Sequence, residues 1–145
     1  MERAGILSMA TIRLQTEPID IQTLYNQLKS SQYGGIVTFS GTIREWTKTE
    51  NENEHTDFIE YTAYEEMAIK ELKKLAEPIE AKGNKVIIVH RLGKLEITDE
   101  AIFIGVASPH RKEAFAGCEA IINQLKERVP IWKKEHDGAQ IRYGK

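Results

Sequence analysis

The feature that most constrains this chain is the run from Ala101 to Val129. It opens with AIFIGVA, residues 101–107, an unbroken apolar stretch that reads as a strand. Ser108-Pro109 interrupts it, and a helical period follows. Ala114, Cys118, Ile121, Ile122, Leu125 and Val129 fall on one stripe, and Pro130 stops the pattern. The spacing predicts a long helix from about residue 110 to 129.

The rest of the chain is punctuated in the same way. Residues 11–15 alternate as a half-buried strand does. Asp20 caps a helix carrying Ile21, Leu24, Tyr25 and Leu28 on one face. Tyr33-Gly34-Gly35 is a turn, and residues 36–44 form a strand with Gly41 as a bulge. Residues 45–56 are polar, lack a period and read as a mobile loop. A strand over 57–64 leads into a helix over 65–81, which Pro78 threatens to end early. Strands follow at 86–91 and, briefly, at 95–97, and turn signals mark Asp137-Gly138 and Gly144. Helices are too few for a doubly wound fold. The expected class is α+β: a single-domain sandwich of a mixed, largely antiparallel sheet with helices packed mainly on one side. Residues 1–8 read as a loose extension and 9–145 as the domain.

Composition narrows the function. With 145 residues and a net charge of −2, one soluble domain is expected, with no basic field for nucleic acid. No apolar run is long enough to span a bilayer, and the N-terminus lacks a signal-peptide core. One cysteine, Cys118, fits a reducing cytoplasm, and no His or Cys spacing suggests a metal. Charge is uneven, with nine acids and three bases between Arg44 and Glu71, but six bases and three acids from Lys126 onward. That asymmetry points to a local anion site.

Two clusters carry the candidate chemistry. His110 and Arg111 stand where a strand gives way to a helix, and free N–H groups there favour anions. The plain reading makes Ser108 the N-cap and leaves Arg111 solvated. A cationic pair at the positive end of a helix costs stability, which favours a binding role. The second cluster is Lys126, Arg128, Lys133 and Lys134 around Pro130-Ile131-Trp132. Its plain reading is a basic helix C-terminus with Trp132 in the core. The functional reading needs one ammonium group that releases its proton readily. Crowding by like charge favours that, and the helix dipole opposes it. Arg44 ends a strand, His90 reads as structural, Cys118 as a buried thiol, and Tyr61, Tyr64 and Met67 as packing residues.

Five ordered blocks then resemble the molybdopterin synthase large (catalytic) subunit family: FSGTIR (39–44), YTAYEEMA (61–68), HRLGKLEI (90–97), SPHRKEAF (108–115) and LKERVPIWKKE (125–135). The resemblance implies a cytoplasmic sulfurtransferase of molybdenum cofactor biosynthesis. It would work as a homodimer that binds two small ubiquitin-like sulfur carriers, giving a heterotetramer. The carrier's C-terminal Gly-Gly thiocarboxylate supplies two sulfurs to cyclic pyranopterin monophosphate, forming the molybdopterin dithiolene, with no metal or organic cofactor. Carried over by position, Lys126 and Lys133 are the catalytic lysines. Arg44, His110 and Arg111 bind substrate, with Thr42, Ile43, Lys134 and Glu135 beside them and Phe39 lining the pocket. The tail, GAQIRYGK, departs from the family pattern, and either Arg142 or Lys145 is the basic tail residue at the pocket. The alternative is a non-catalytic module that holds a ubiquitin-like tail in a basic groove.

One constraint is geometric. His110 and Lys126 lie 16 positions apart on one helix, or roughly 24 Å at about 1.5 Å per residue. A small pterin does not bridge that gap. The expectation is a composite site, with His110 and Arg111 of one chain facing Lys126 and Lys133 of another.

Overall fold

The computed structural model describes residues 10–48 and 52–145. The 1–8 extension lies outside these residues. The chain runs β1 (Thr11–Gln15), α1 (Ile21–Leu28), β2 (Gly35–Thr42), β3 (Trp46–Lys48), β4 (Asn53–His55), β5 (Phe58–Ala63) and α2 (Glu65–Glu80). It continues through β6 (Lys85–Arg91), β7 (Gly93–Glu96), β8 (Glu100–Ser108), α3 (Arg111–Arg128), β9 (Ile131–Asp137) and β10 (Gln140–Gly144).

β8 organises the core, as its apolar run predicts. Eight of its nine residues are buried. It lies between β6 and β2, antiparallel to both, in a sheet of order β1-β6-β8-β2. β1 joins β6 in parallel. Successive side chains then serve opposite faces. Ile102, Ile104 and Val106 pack with Val86 and Ile88 under α2 and α3, against Leu72, Ala76, Cys118 and Ile121. Phe103 and Ala107 pack with Ile87 and Val89 under α1, against Leu24 and Leu28. Gly105 makes room for that helix, because a Cβ there would sit 2.5 Å from Leu28 Cδ1. Two helices therefore cover one face and the third covers the other.

The remaining strands form an antiparallel sheet, β10-β9-β5-β7, and the β3–β4 hairpin. Ile43, Ile59, Leu95 and Ala101 make a small core of their own beside it. The α+β character and the largely antiparallel pairing are as expected, with the strands divided between sheets.

Several local expectations change. The 45–56 segment carries β3 and β4 rather than only loop. Pro78 lies inside α2, which continues to Glu80, so its missing N–H costs one hydrogen bond in the last turn without ending the helix. Gly144 closes β10 instead of making a turn, and 131–144 is a hairpin about Gly138, whose φ is +61°. Trp132 is 43% exposed rather than in the core, and Tyr64 and Met67 are exposed too. His110, not Ser108, is the N-cap of α3, because Ser108 is still paired with Gly35 as the last residue of β8 and is fully buried. The Asp20 cap and the Gly41 bulge stand as expected. Thr23 N–H donates to Asp20 Oδ1 at 3.2 Å, and the β2–β8 register shifts between Gly41 and Thr42.

Candidate active site

Two adjoining hollows lie where β2, β5, α3 and β9 meet. The larger, about 200 Å³, takes Phe39 and Thr42 from β2, and Lys126 from the last turn of α3. Lys133 from β9, Lys145 from the tail and His90 from β6 complete its polar lining. Ile122, Leu125 and Ile131 supply an apolar wall. The smaller, about 130 Å³, is lined by Ile43, Arg44, Thr47, Glu54 and Glu135. Thr42, Tyr61 and Lys133 border both, so the two form one continuous groove.

The strand period explains which β9 residues enter it. Lys133 and Glu135 point inward, with Nζ and Oε2 3.4 Å apart. Lys134 lines neither hollow and instead lies 5.9 Å from the centre of the Tyr143 ring. Glu135 is held from behind, since Thr56 Oγ1 donates to its Oε1 at 3.1 Å. The lysines and Arg44 make the groove strongly cationic, and Glu135 and Glu54 soften that charge at one end. Such a groove suits an anionic ligand with an apolar body.

The structure also separates the two candidate tail residues. Arg142 lines neither hollow, although it lies 3.8 Å from Glu135, which lines the smaller one. Its Nη2 donates to the carbonyl of His55 at 2.7 Å, and its guanidinium lies 3.6 Å from Asp137 and 3.9 Å from Glu54. Lys145 lines the groove, with Nζ donating to the Glu127 carbonyl at 3.4 Å. Ile43 contributes from its place beneath Arg44, with both backbone groups used by Asp99 and Thr98.

His110 and Arg111 line neither hollow. They are exposed at the far end of α3, an unbroken helix from Arg111 to Arg128. The 15 positions between Arg111 and Lys126 amount to roughly 22 Å. The Tyr33-Gly34-Gly35 turn fixes this end. Gly34 N–H donates to the Pro109 carbonyl, and a Cβ on Gly35 would meet Arg111 Cα at 2.8 Å.

Tyr61 and His90, read from sequence as packing and structural residues, both border the groove. Their rings meet edge-on at 4.9 Å. Burial, with Glu135 nearby, raises the Tyr61 phenol, and burial lowers the His90 imidazole. Burial also pushes the Cys118 thiol up to about 11, which leaves it inert at neutral pH. Among the described residues, His55, Asp57 and Asp137 are close enough to share a metal ion. They are already partnered: Gly138 N–H donates to Asp57, and Arg142 faces Asp137. That donor set is better described as an ion-pair network. No helix of the described residues is long and apolar enough to cross a membrane.

A family model described as MoaE protein matches residues 14–128. The chain belongs to this family. The molybdopterin synthase catalytic subunit of Staphylococcus epidermidis is 43% identical over 136 residues, covering 91% of this chain and 88% of that one. The crystal structure of molybdopterin synthase from Staphylococcus aureus matches with a TM-score of 0.83 at 39% identity, covering 91% of this chain and 95% of that one. A complex of subunits 1 and 2 of molybdopterin-converting factor from Helicobacter pylori matches with a TM-score of 0.77, covering 94% and 91%. At 21% identity it speaks to the fold alone. The MoaE assignment agrees with the five sequence blocks, four of which fall within the matched span and the fifth across its end.

Proposed function

We propose that this MoaE-family chain is the catalytic subunit of a molybdopterin synthase. It transfers two sulfurs from the C-terminal thiocarboxylate of a small ubiquitin-like carrier to cyclic pyranopterin monophosphate. The observation that carries this reading is the groove holding Lys126, Lys133 and Lys145 in one hollow and Arg44 in the next. A thiocarboxylate and a phosphate ester are both anions, and a cationic groove with an apolar wall receives both. The forked guanidinium of Arg44 suits phosphate, while a lysine also donates a proton. Lys126 and Lys133 would sit at the reacting carbon, and Lys145 is the tail residue that joins them. The buried, inert Cys118 leaves the sulfur to arrive on the carrier, and a single reduced thiol fits a cytoplasmic enzyme.

The substrate cradle would be completed by a second chain. His110 and Arg111 stand too far along α3 to reach their own Lys126, so a homodimer would place them opposite a partner's lysines. With one carrier bound to each catalytic chain, the assembly is a heterotetramer. Residues 9–145 would act as one catalytic domain.

Reconstitution tests this. The protein is mixed with a carrier bearing a Gly-Gly thiocarboxylate and with cyclic pyranopterin monophosphate, and dithiolene is measured. Lys126→Ala should lower its formation by about 100-fold or more, the scale of a lost general acid or base. Full activity in that variant removes Lys126 from the chemistry. Carrier binding without any turnover in the unmodified protein would favour a non-catalytic module.

A further inference from the structure

The ammonium groups of the groove lysines hold anions and donate protons. An ammonium group has no lone pair until it has lost a proton. Sulfur transfer from an acyl carrier leaves the carrier joined to the substrate as a thioester, and releasing it needs a base to activate water. In the hollow that holds the three lysines, His90 is placed to be that base.

His90 lies on β6 and is 5% exposed, and it borders the same hollow as Lys126, Lys133 and Lys145. Its Nδ1 is 2.8 Å from the carbonyl oxygen of Arg91. A carbonyl only accepts, so Nδ1 carries the hydrogen and Nε2 keeps the lone pair. The edge of the Tyr61 ring, 4.9 Å away between centroids, fixes the plane of the imidazole. Burial disfavours the imidazolium, so the ring is neutral at physiological pH. The charged and titratable groups around it are Tyr61 on β5, Lys126 on α3, Lys133 on β9 and Lys145 in the tail, and no carboxylate lines this hollow. His90 is therefore a neutral acceptor in a cationic site, with its tautomer set by the backbone.

We propose that His90 is a further catalytic residue, the general base that hydrolyses the carrier–substrate thioester. This rests on the function proposed above. A water oxygen bonds to the acyl carbon while its proton passes to Nε2. The resulting oxyanion faces the lysine ammonium groups. Its collapse breaks the carbon–sulfur bond, so sulfur leaves on the pterin as a thiolate and the carrier leaves as a carboxylic acid, which ionises. The imidazolium returns its proton to the thiolate or to solvent. Lys126 and Lys133 line the same hollow and supply the donors to the oxyanion, so donors and acceptor are separate residues.

The test is a single turnover with the thiocarboxylated carrier and cyclic pyranopterin monophosphate, followed by mass spectrometry. His90→Gln keeps a polar side chain but is not a base. It should form the carrier–pterin thioester within about threefold of the unmodified rate and hydrolyse it about 100-fold more slowly, so the adduct accumulates. Hydrolysis at the unmodified rate overturns the proposal. So does a folded variant that loses sulfur transfer and hydrolysis together, because that marks a structural role. If circular dichroism shows that His90→Gln does not fold, the pH profile of hydrolysis in the unmodified protein decides. The rate should fall on the acid side with a midpoint below the ordinary histidine value of 6.5. A flat profile through that range overturns the proposal. An unmodified protein that transfers no sulfur overturns the function itself, and the His90 assignment with it.

Discussion

The backbone N–H of Thr98 donates a 2.8 Å hydrogen bond to the carbonyl of Ile43, and Thr98 makes it at a φ of +74°. This left-handed conformation is costly for a β-branched residue. Ile43 in turn donates to the carbonyl of Asp99 at 3.0 Å, so the turn before β8 clamps the segment that carries Arg44. Thr98→Asn, which tolerates this backbone, should stabilise the fold by about 1 kcal/mol. Thermal unfolding checks it, and an unchanged or lower midpoint would show that the Thr98 side chain offsets its own strain.

Arg142 ties the β3–β4 hairpin to β9, through the His55 carbonyl on one side and Asp137 on the other. Arg142→Ala should cost roughly 1–3 kcal/mol, since it takes the side-chain donor from the His55 carbonyl and the cation from a cluster of carboxylates. Arg142→Lys should rescue little, because one ammonium group does not span partners that a guanidinium fork reaches together. Denaturant unfolding of both variants provides the comparison, and full recovery by lysine would contradict the fork argument.

Glu80 is half-buried at the end of α2, and its carboxyl is pushed up to about 7, by burial first. Val86 N–H donates to it at 3.3 Å, which only partly opposes that rise. The folded value lies above the unfolded 4.5, so the folded state binds the extra proton between them. Stability from this site is complete below the unfolded value and is lost as pH rises through about 7. Glu80→Gln should therefore raise stability at pH 8 by roughly 1–2 kcal/mol, discounted for partial exposure, and by much less at pH 5. Unfolding midpoints at the two pH values measure the gap.

The unbroken length of α3 sets up a complementation test. Arg111→Ala and Lys126→Ala subunits are each expected to be inactive alone. Mixed dimers contain one groove with both defects and one with neither. Random re-association of equal amounts should restore about a quarter of the unmodified activity. Activity that stays at the level of the parents would mean that each groove draws on one chain.

The parts of the fold legible in the sequence are those where burial alone chose the residues. β8 and α3 follow from an uninterrupted apolar run and a clean helical stripe, and α1 from Asp20 and its apolar face. The β9–β10 hairpin was hidden because Lys133 and Glu135 occupy inward positions that would be apolar in an ordinary strand. They face a groove rather than a core, so the alternation that marks a strand is absent there. The exposed Trp132 misleads in the opposite direction. For the site, residue type and block order picked out Lys126, Lys133 and Arg44, which the fold brings together. That Lys145 and not Arg142 lines the larger hollow follows from contacts that tie Arg142 to β4 and β9. The standing of His90 depended on which ring nitrogen meets a carbonyl, and neither has a sequence signal.

The two-residue alternation of β9 gives this strand something like a reading frame. Deleting one residue in the short link between α3 and β9 would shift the strand by one position. Trp132 and Lys134 would then swing into the groove, and Lys133 and Glu135 would face solvent. Composition would barely change, and the strand would still pair with β5. The chain would keep its architecture, but Trp132 would take the place of Ile131 in the apolar wall, Lys134 that of Lys133 and His136 that of Glu135. The length of that link thus decides which face of β9 lines the groove.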